Sequence, residues 1–215
     1  MKFKKAIQEI NQNGILLVFP INNRKHPLSL WSQFYPRSKM EWNWDNDGDD
    51  RVGQLWGLMK KLSDCREVIY SKWYQGRATF FSRSLFTALL KLRQQQNDSN
   101  SELSKTARML LEVLESDSPL STKQLKKLAD LQGKANEKFY QRGMKELFKN
   151  FHIVAFGEVD DGAFPSLAIG STHNLYEDLW NESRNLSFSQ AMAIVDRYMP
   201  TDELFRKYLD KGQKK

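Results

Sequence analysis

Apolar positions along the 215-residue chain recur with two different periods, and the switches between them predict the order of elements. Residues 3 to 12 read as a short helix stopped by Asn13-Gly14, and Ile15 to Phe19 follow as a buried strand ended by Pro20. HPLSLWSQFYP is a turn with a short helical or irregular piece, and NWDNDGDD is a polar, acidic loop. Leu55, Leu58, Met59 and Leu62 recur at helical spacing and predict a helix from Arg51 to Leu62. The run EVIYSKWYQGRATFF alternates Val68, Tyr70 and Lys72 with other types, which predicts a strand. Ser82 then caps a helix running to about Gln95.

QQQNDSNSE, residues 94 to 102, has no apolar side chain to bury and reads as a linker. The expected organisation is an N-terminal α+β unit over 1–96, a linker over 97–102, a second unit over 103–180 and a C-terminal helical segment over 181–215. In the second unit Leu103, Ala107, Leu110, Leu111 and Leu114 form the stripe of an amphipathic helix, which Pro119 helps to end. Ser121 and Gln124 make a capping-box pattern, and Leu125, Leu128 and Ala129 give the next helix its inner face. Gly133 interrupts, and a third helix runs from Lys134 to about Asn150. HIVAFGEV and SLAIGS then read as two strands joined by the turn DDGAFP. Helix, helix, helix, strand, turn, strand is the order of a winged helix, which lays its third helix in the DNA major groove. The expected class is therefore α+β, mainly helical, with a winged-helix domain after the N-terminal unit. In the last segment an amphipathic helix is expected around Ala191 to Tyr198.

Charge sharpens that picture. The net charge is +7, with 16 Lys and Arg against 9 Asp and Glu in residues 1–100 and 10 against 7 in residues 101–151, so the excess lies in the first two thirds. A basic surface binds phosphates by releasing condensed counterions, which makes nucleic acid a natural partner. On the third helix Lys134, Lys138, Gln141, Arg142, Lys145 and Lys149 fall within an arc of about 100°, while Phe139, Tyr140, Gly143, Met144, Leu147 and Phe151 occupy the other side. Lys contacts there would give affinity without sequence information, whereas Gln141 and Arg142 could read base edges. A second basic stretch, YSKWYQGRATFFSR, interleaves Lys72, Arg77 and Arg83 with Trp73, Tyr74, Phe80 and Phe81, a mixture that stacks bases or fills a core. Arg77 follows Gly76, which permits close backbone approach. Asp160 and Asp161, at the expected wing tip, argue against that tip lying on phosphate.

Three stretches resemble the AlkZ-like family, bacterial winged-helix proteins that include glycosylases acting on alkylated and crosslinked DNA. GRATFFSRSLFTALL resembles that family's Gly, Thr-Phe pair and amphipathic helix. LSTKQLKKLADLQGKANEKFYQRGMKELFKNFHIVAFGE is similar to its helix-turn-helix, third helix and first wing strand, and THNLYEDLW to the segment that follows. The likeness covers about residues 15 to 180 and implies DNA as partner and DNA repair as setting. Catalytic members carry a Gln-aliphatic-Gln or related motif that positions the attacking water. The one Gln-x-Gln here, Gln94-Gln95-Gln96, lacks the aliphatic residue, so no catalytic residue is transferred. The chain is also short for a tandem winged-helix enzyme, which fits a reduced relative that kept the binding scaffold. The alternatives are an active glycosylase in repair of alkylated DNA and a protein–protein interaction module.

Other chemistry finds little support. Residues 43 to 54 approximate a calcium loop, but Gln54 stands where a bidentate Glu belongs and Asp50 where an aliphatic residue is usual. His26, His152 and His173 share no ligand spacing, and Cys65 is the sole cysteine, so no metal site is expected and no disulfide within the chain. No phosphate-loop, dinucleotide or nucleophile-elbow pattern occurs, so no cofactor is expected. The longest apolar run, ILLVF, is too short for a bilayer, and a cytoplasmic protein without membrane contact is expected.

Overall fold

The computed structural model describes residues 2–41, 50–97, 103–159 and 166–211, with the backbone alone for 95–97. It is α+β. Six strands, β1 (Ile15–Leu17), β2 (Val68–Ser71), β3 (Thr79–Ser82), β4 (Leu120–Ser121), β5 (Ile153–Val159) and β6 (Ser166–Ser171), form one sheet in the order β1-β3-β2-β5-β6-β4. Every pairing is antiparallel.

Helices cover both faces of the sheet's first half, which is why its strands read as apolar runs rather than as clean alternation. Leu16, Val18, Val68, Tyr70 and Phe80 pack toward α1 (Lys2–Asn13), α2 (Leu30–Phe34) and α3 (Asp50–Ser63). Their neighbours Ile15, Leu17, Ile69 and Phe81 pack toward α4 (Arg83–Asn97) on the other face. The single strand expected across EVIYSKWYQGRATFF is in fact a hairpin of β2 and β3. The chain reverses where Gln75 (φ 54°) and Gly76 (φ 74°) adopt left-handed backbone, a conformation glycine takes without strain.

A third core lies among α5 (Lys105–Ser116), α6 (Thr122–Leu128) and α7 (Lys134–Lys149), where Leu110, Leu114, Leu125 and Leu147 meet Ile153 and Ile169 of the sheet. Gly143 lets α7 press against α5, since a Cβ there would lie 2.9 Å from a Leu110 methyl. The expected capping box is present: Ser121 Oγ accepts from the Gln124 amide at 3.0 Å and Gln124 Oε1 from the Ser121 amide at 2.8 Å. Between α5 and α6 runs β4, too short to leave a period in the sequence, and it pairs with β6 through Leu120 and Ile169.

Two inner-face assignments are corrected. Leu128 is 56% exposed and Phe139 is 53% exposed. α6 stops at Leu128, where Asp130 turns left-handed and the Leu131 amide donates to Lys126 O at 2.8 Å, so Leu125 and Ala129 fill the inner face instead. Phe139 sits at the edge of the apolar side of α7, and Tyr140 takes the buried place.

The C-terminal segment completes the N-terminal core. After α8 (Thr172–Leu175) and α9 (Glu177–Asn185), helices α10 (Phe188–Tyr198) and α11 (Leu204–Lys211) bring Val195, Met199, Phe205 and Leu209 against Trp73, Tyr74 and Leu89. Arg206, nearly buried on α11, is held by Asp196 at 2.6 Å and Asp210 at 3.0 Å. No helix among the described residues is long and apolar enough to cross a membrane.

Candidate nucleic-acid interface

α7 has the two faces its sequence predicts. Tyr140, Gly143, Met144, Leu147 and Phe148 are buried, and Lys134, Lys138, Gln141, Arg142 and Lys145 are exposed. Lys149, at the last turn, is half-buried, and its carbonyl accepts from Arg93 Nη2 at 3.5 Å. Lys134 stands in the first helical turn, where a cation opposes the helix dipole, so helix stability does not account for its placement.

The two acidic residues beside this arc are both engaged. Glu137 binds Lys126 of α6 at 2.7 Å and accepts from Gln141 Nε2 at 2.8 Å. Those hydrogen bonds, from Gln141 first and then Lys126, hold its carboxyl below the usual range. Glu146 points to the start of α5 and accepts from the Ser104 amide at 2.9 Å. What remains on the outer face is a set of cations, among which Lys134, Lys138, Arg142 and Lys145 have no carboxylate partner among the described residues.

The structure also joins two segments that lie far apart in sequence. β2 pairs with β5 at Tyr70 and Ala155, and Trp73 stacks on Phe151 with ring centres 5.6 Å apart, which pins the β2–β3 turn against the end of α7. A cleft of about 350 Å³ lies between them, lined by Lys72 and Gly76 from the turn, Thr122 from α6 and Tyr140, Gln141 and Lys145 from α7. Met144, Phe148 and Ile169 supply its apolar surface. Lys72 is half-buried and has no carboxylate partner among the described residues, and burial lowers the pKa of its ammonium. Arg77 is exposed next to Gly76, with its amide donating to Tyr74 O at 2.9 Å.

Arg83 is not brought to this place. It sits at the opposite end of β3, ion-paired with Asp178 of α9 and donating to Arg66 O at 2.7 Å. Trp73, Tyr74, Phe80 and Phe81 are buried, so of the two roles open to them they fill the core. Gln94 is also distant from the cleft, since its Nε2 donates to Ser183 Oγ at 2.8 Å in the contact between α4 and α9. Asp160 and Asp161, and residues 43–49 of the calcium-like loop, lie outside the described residues. Among the described residues no group of three or more His, Cys, Asp or Glu is placed to hold a metal. His152 is partly buried, and burial followed by the Arg93 charge lowers its pKa to about 4.

Sequence reasoning missed Thr122, and it assigned Tyr140 only to the core. The Gln75-Gly76 pair was the available signal for the hairpin, because Gly after a polar residue between apolar runs marks a reversal. No curated protein and no solved structure matches the chain. A family model described as AlkZ related matches residues 1–200, nearly the whole chain, and the protein therefore belongs to the AlkZ related family.

Proposed function

We propose that this is a DNA-binding protein of the AlkZ related family, in which α5, β4, α6, α7, β5 and β6 form a winged helix and α7 lies against duplex DNA. Lys134, Lys138, Arg142, Lys145 and Lys149 contact phosphates, Gln141 and Arg142 face the groove, and Lys72 and Arg77 extend the basic surface from the neighbouring turn. Arg83 is left out because Asp178 neutralises it. The observation that carries the reading is the exposed set Lys134, Lys138, Arg142 and Lys145 on α7, without carboxylate partners among the described residues, backed by the buried Tyr140, Met144 and Leu147. The pairing of β4 with β6 and the adjacency of Lys72 to Lys145 support it.

Replacing Lys138, Arg142 and Lys145 together by Glu is expected to abolish duplex binding while leaving the circular dichroism spectrum and melting transition unchanged. Binding by the folded variant at wild-type strength contradicts the proposal.

Family membership favours base removal as the second reading. Enzymes acting on a base in duplex DNA evert it into a pocket. Incubation with alkylated duplex followed by alkali gives strand breaks if bases are released, and intact strands across several lesions leave binding as the activity.

A further inference from the structure

We propose that the cleft between the β2–β3 turn and α7 seats one phosphate group, held between the ammonium groups of Lys72 and Lys145 against the backbone at Gly76. The favoured source is a phosphodiester of duplex DNA, so the inference rests on the DNA-binding reading and adds to it a defined seat beside the exposed arc.

The charge arrangement points to an anion. Two lysines and no carboxylate line the cleft, and neither lysine has an ion-pair partner among the described residues. Two other shielded cations are neutralised, Lys126 by Glu137 and Arg206 by Asp196 and Asp210, whereas the half-buried Lys72 is not. Two like charges sharing a half-closed space repel, and a phosphate between them relieves that repulsion while matching their donors. Burial already disfavours the charged form of Lys72, a penalty that a bound anion reverses.

The shape of the site fits the same ligand. At Gly76, with φ of 74°, nothing lies within 4 Å of the position a Cβ would take, so a ligand oxygen can come directly against the main chain. Tyr140 lines the cleft, and its buried hydroxyl has no hydrogen-bond partner among the described residues. Met144, Phe148 and Ile169 offer apolar surface of the kind a deoxyribose next to the phosphate would cover.

The test uses Lys72→Met and Lys145→Met in the full chain, which remove charge and keep the apolar stem, with the exposed Lys61→Met on α3 as control. Duplex binding is measured across a salt series. Each cleft substitution is expected to reduce the slope of log K against log salt by about 0.9, and the control to leave it unchanged. In ¹⁵N spectra the Gly76 amide is expected to shift when duplex is added to the wild type and to stay in place in Lys72→Met. Inorganic phosphate alone forms the second arm. A Gly76 shift with phosphate, combined with a wild-type duplex slope in Lys72→Met, upholds the seat and assigns it to a free phosphate ligand. A wild-type slope in Lys72→Met with Gly76 unmoved by either probe overturns the proposal, even where charge reversal on α7 still abolishes duplex binding. If the wild type binds no duplex, the DNA-binding reading falls and the phosphate arm decides the seat by itself.

Discussion

Two regions of the molecule treat a shielded cation in opposite ways. In the α10–α11 hairpin Arg206 lies between Asp196 and Asp210, its guanidinium occupied on two sides. In the cleft the half-buried Lys72 faces the exposed Lys145 across a space with no carboxylate among the described residues. The first arrangement is closed and explains itself as structure. The second leaves charge uncompensated, an electrostatic cost that folding alone gives no reason to retain and that an anionic partner offsets.

Breaking the element common to both regions has the largest expected effect. Trp73 stacks on Phe151 at the end of α7 and meets Tyr208 of α11 edge-on at 5.0 Å. Trp73→Ala is expected to lower stability by about 3–5 kcal/mol in urea unfolding and to weaken DNA binding with it. Next comes pH. The His152 pKa falls from its usual 6.5 to about 4 on folding, so between those values the unfolded chain binds more protons. Acidification from pH 6.5 toward 4 is therefore expected to remove roughly 2–3 kcal/mol of stability, and His152→Asn to flatten that part of the profile.

The remaining two predictions separate the regions. Arg206→Met removes the cation that Asp196 and Asp210 share and is expected to cost about 1–3 kcal/mol with no change in the salt slope of DNA binding. Lys72→Met is expected to do the reverse, leaving stability within about 1 kcal/mol of wild type or slightly above it while reducing the salt slope. A loss of stability from Lys72→Met as large as that from Arg206→Met would erase the distinction between closed and open charge.

What was legible in the sequence follows from how local each feature is. The faces of α7 depend on helical period alone, and Tyr140, Met144 and Leu147 are buried where that period puts them. The capping box at Ser121 is equally local and is present. Arg83 illustrates the limit, because its partner Asp178 is 95 residues away and nothing near Arg83 signals it. The cleft was hidden for the same reason. Lys72 and Lys145 were each singled out from their own neighbourhoods, and only the pairing of β2 with β5 brings them together. Leu128 and Phe139 show a subtler failure, since period places a residue at the edge of a face without saying where the helix stops or which edge residue packs.

The most direct measurement of the central claim is the salt dependence of binding to a duplex oligonucleotide. With Lys72, Lys134, Lys138, Arg142, Lys145 and Lys149 on phosphates, the slope of log K against log salt is predicted to be roughly −5. Absence of binding at about 50 mM salt, or a slope close to zero, would contradict it.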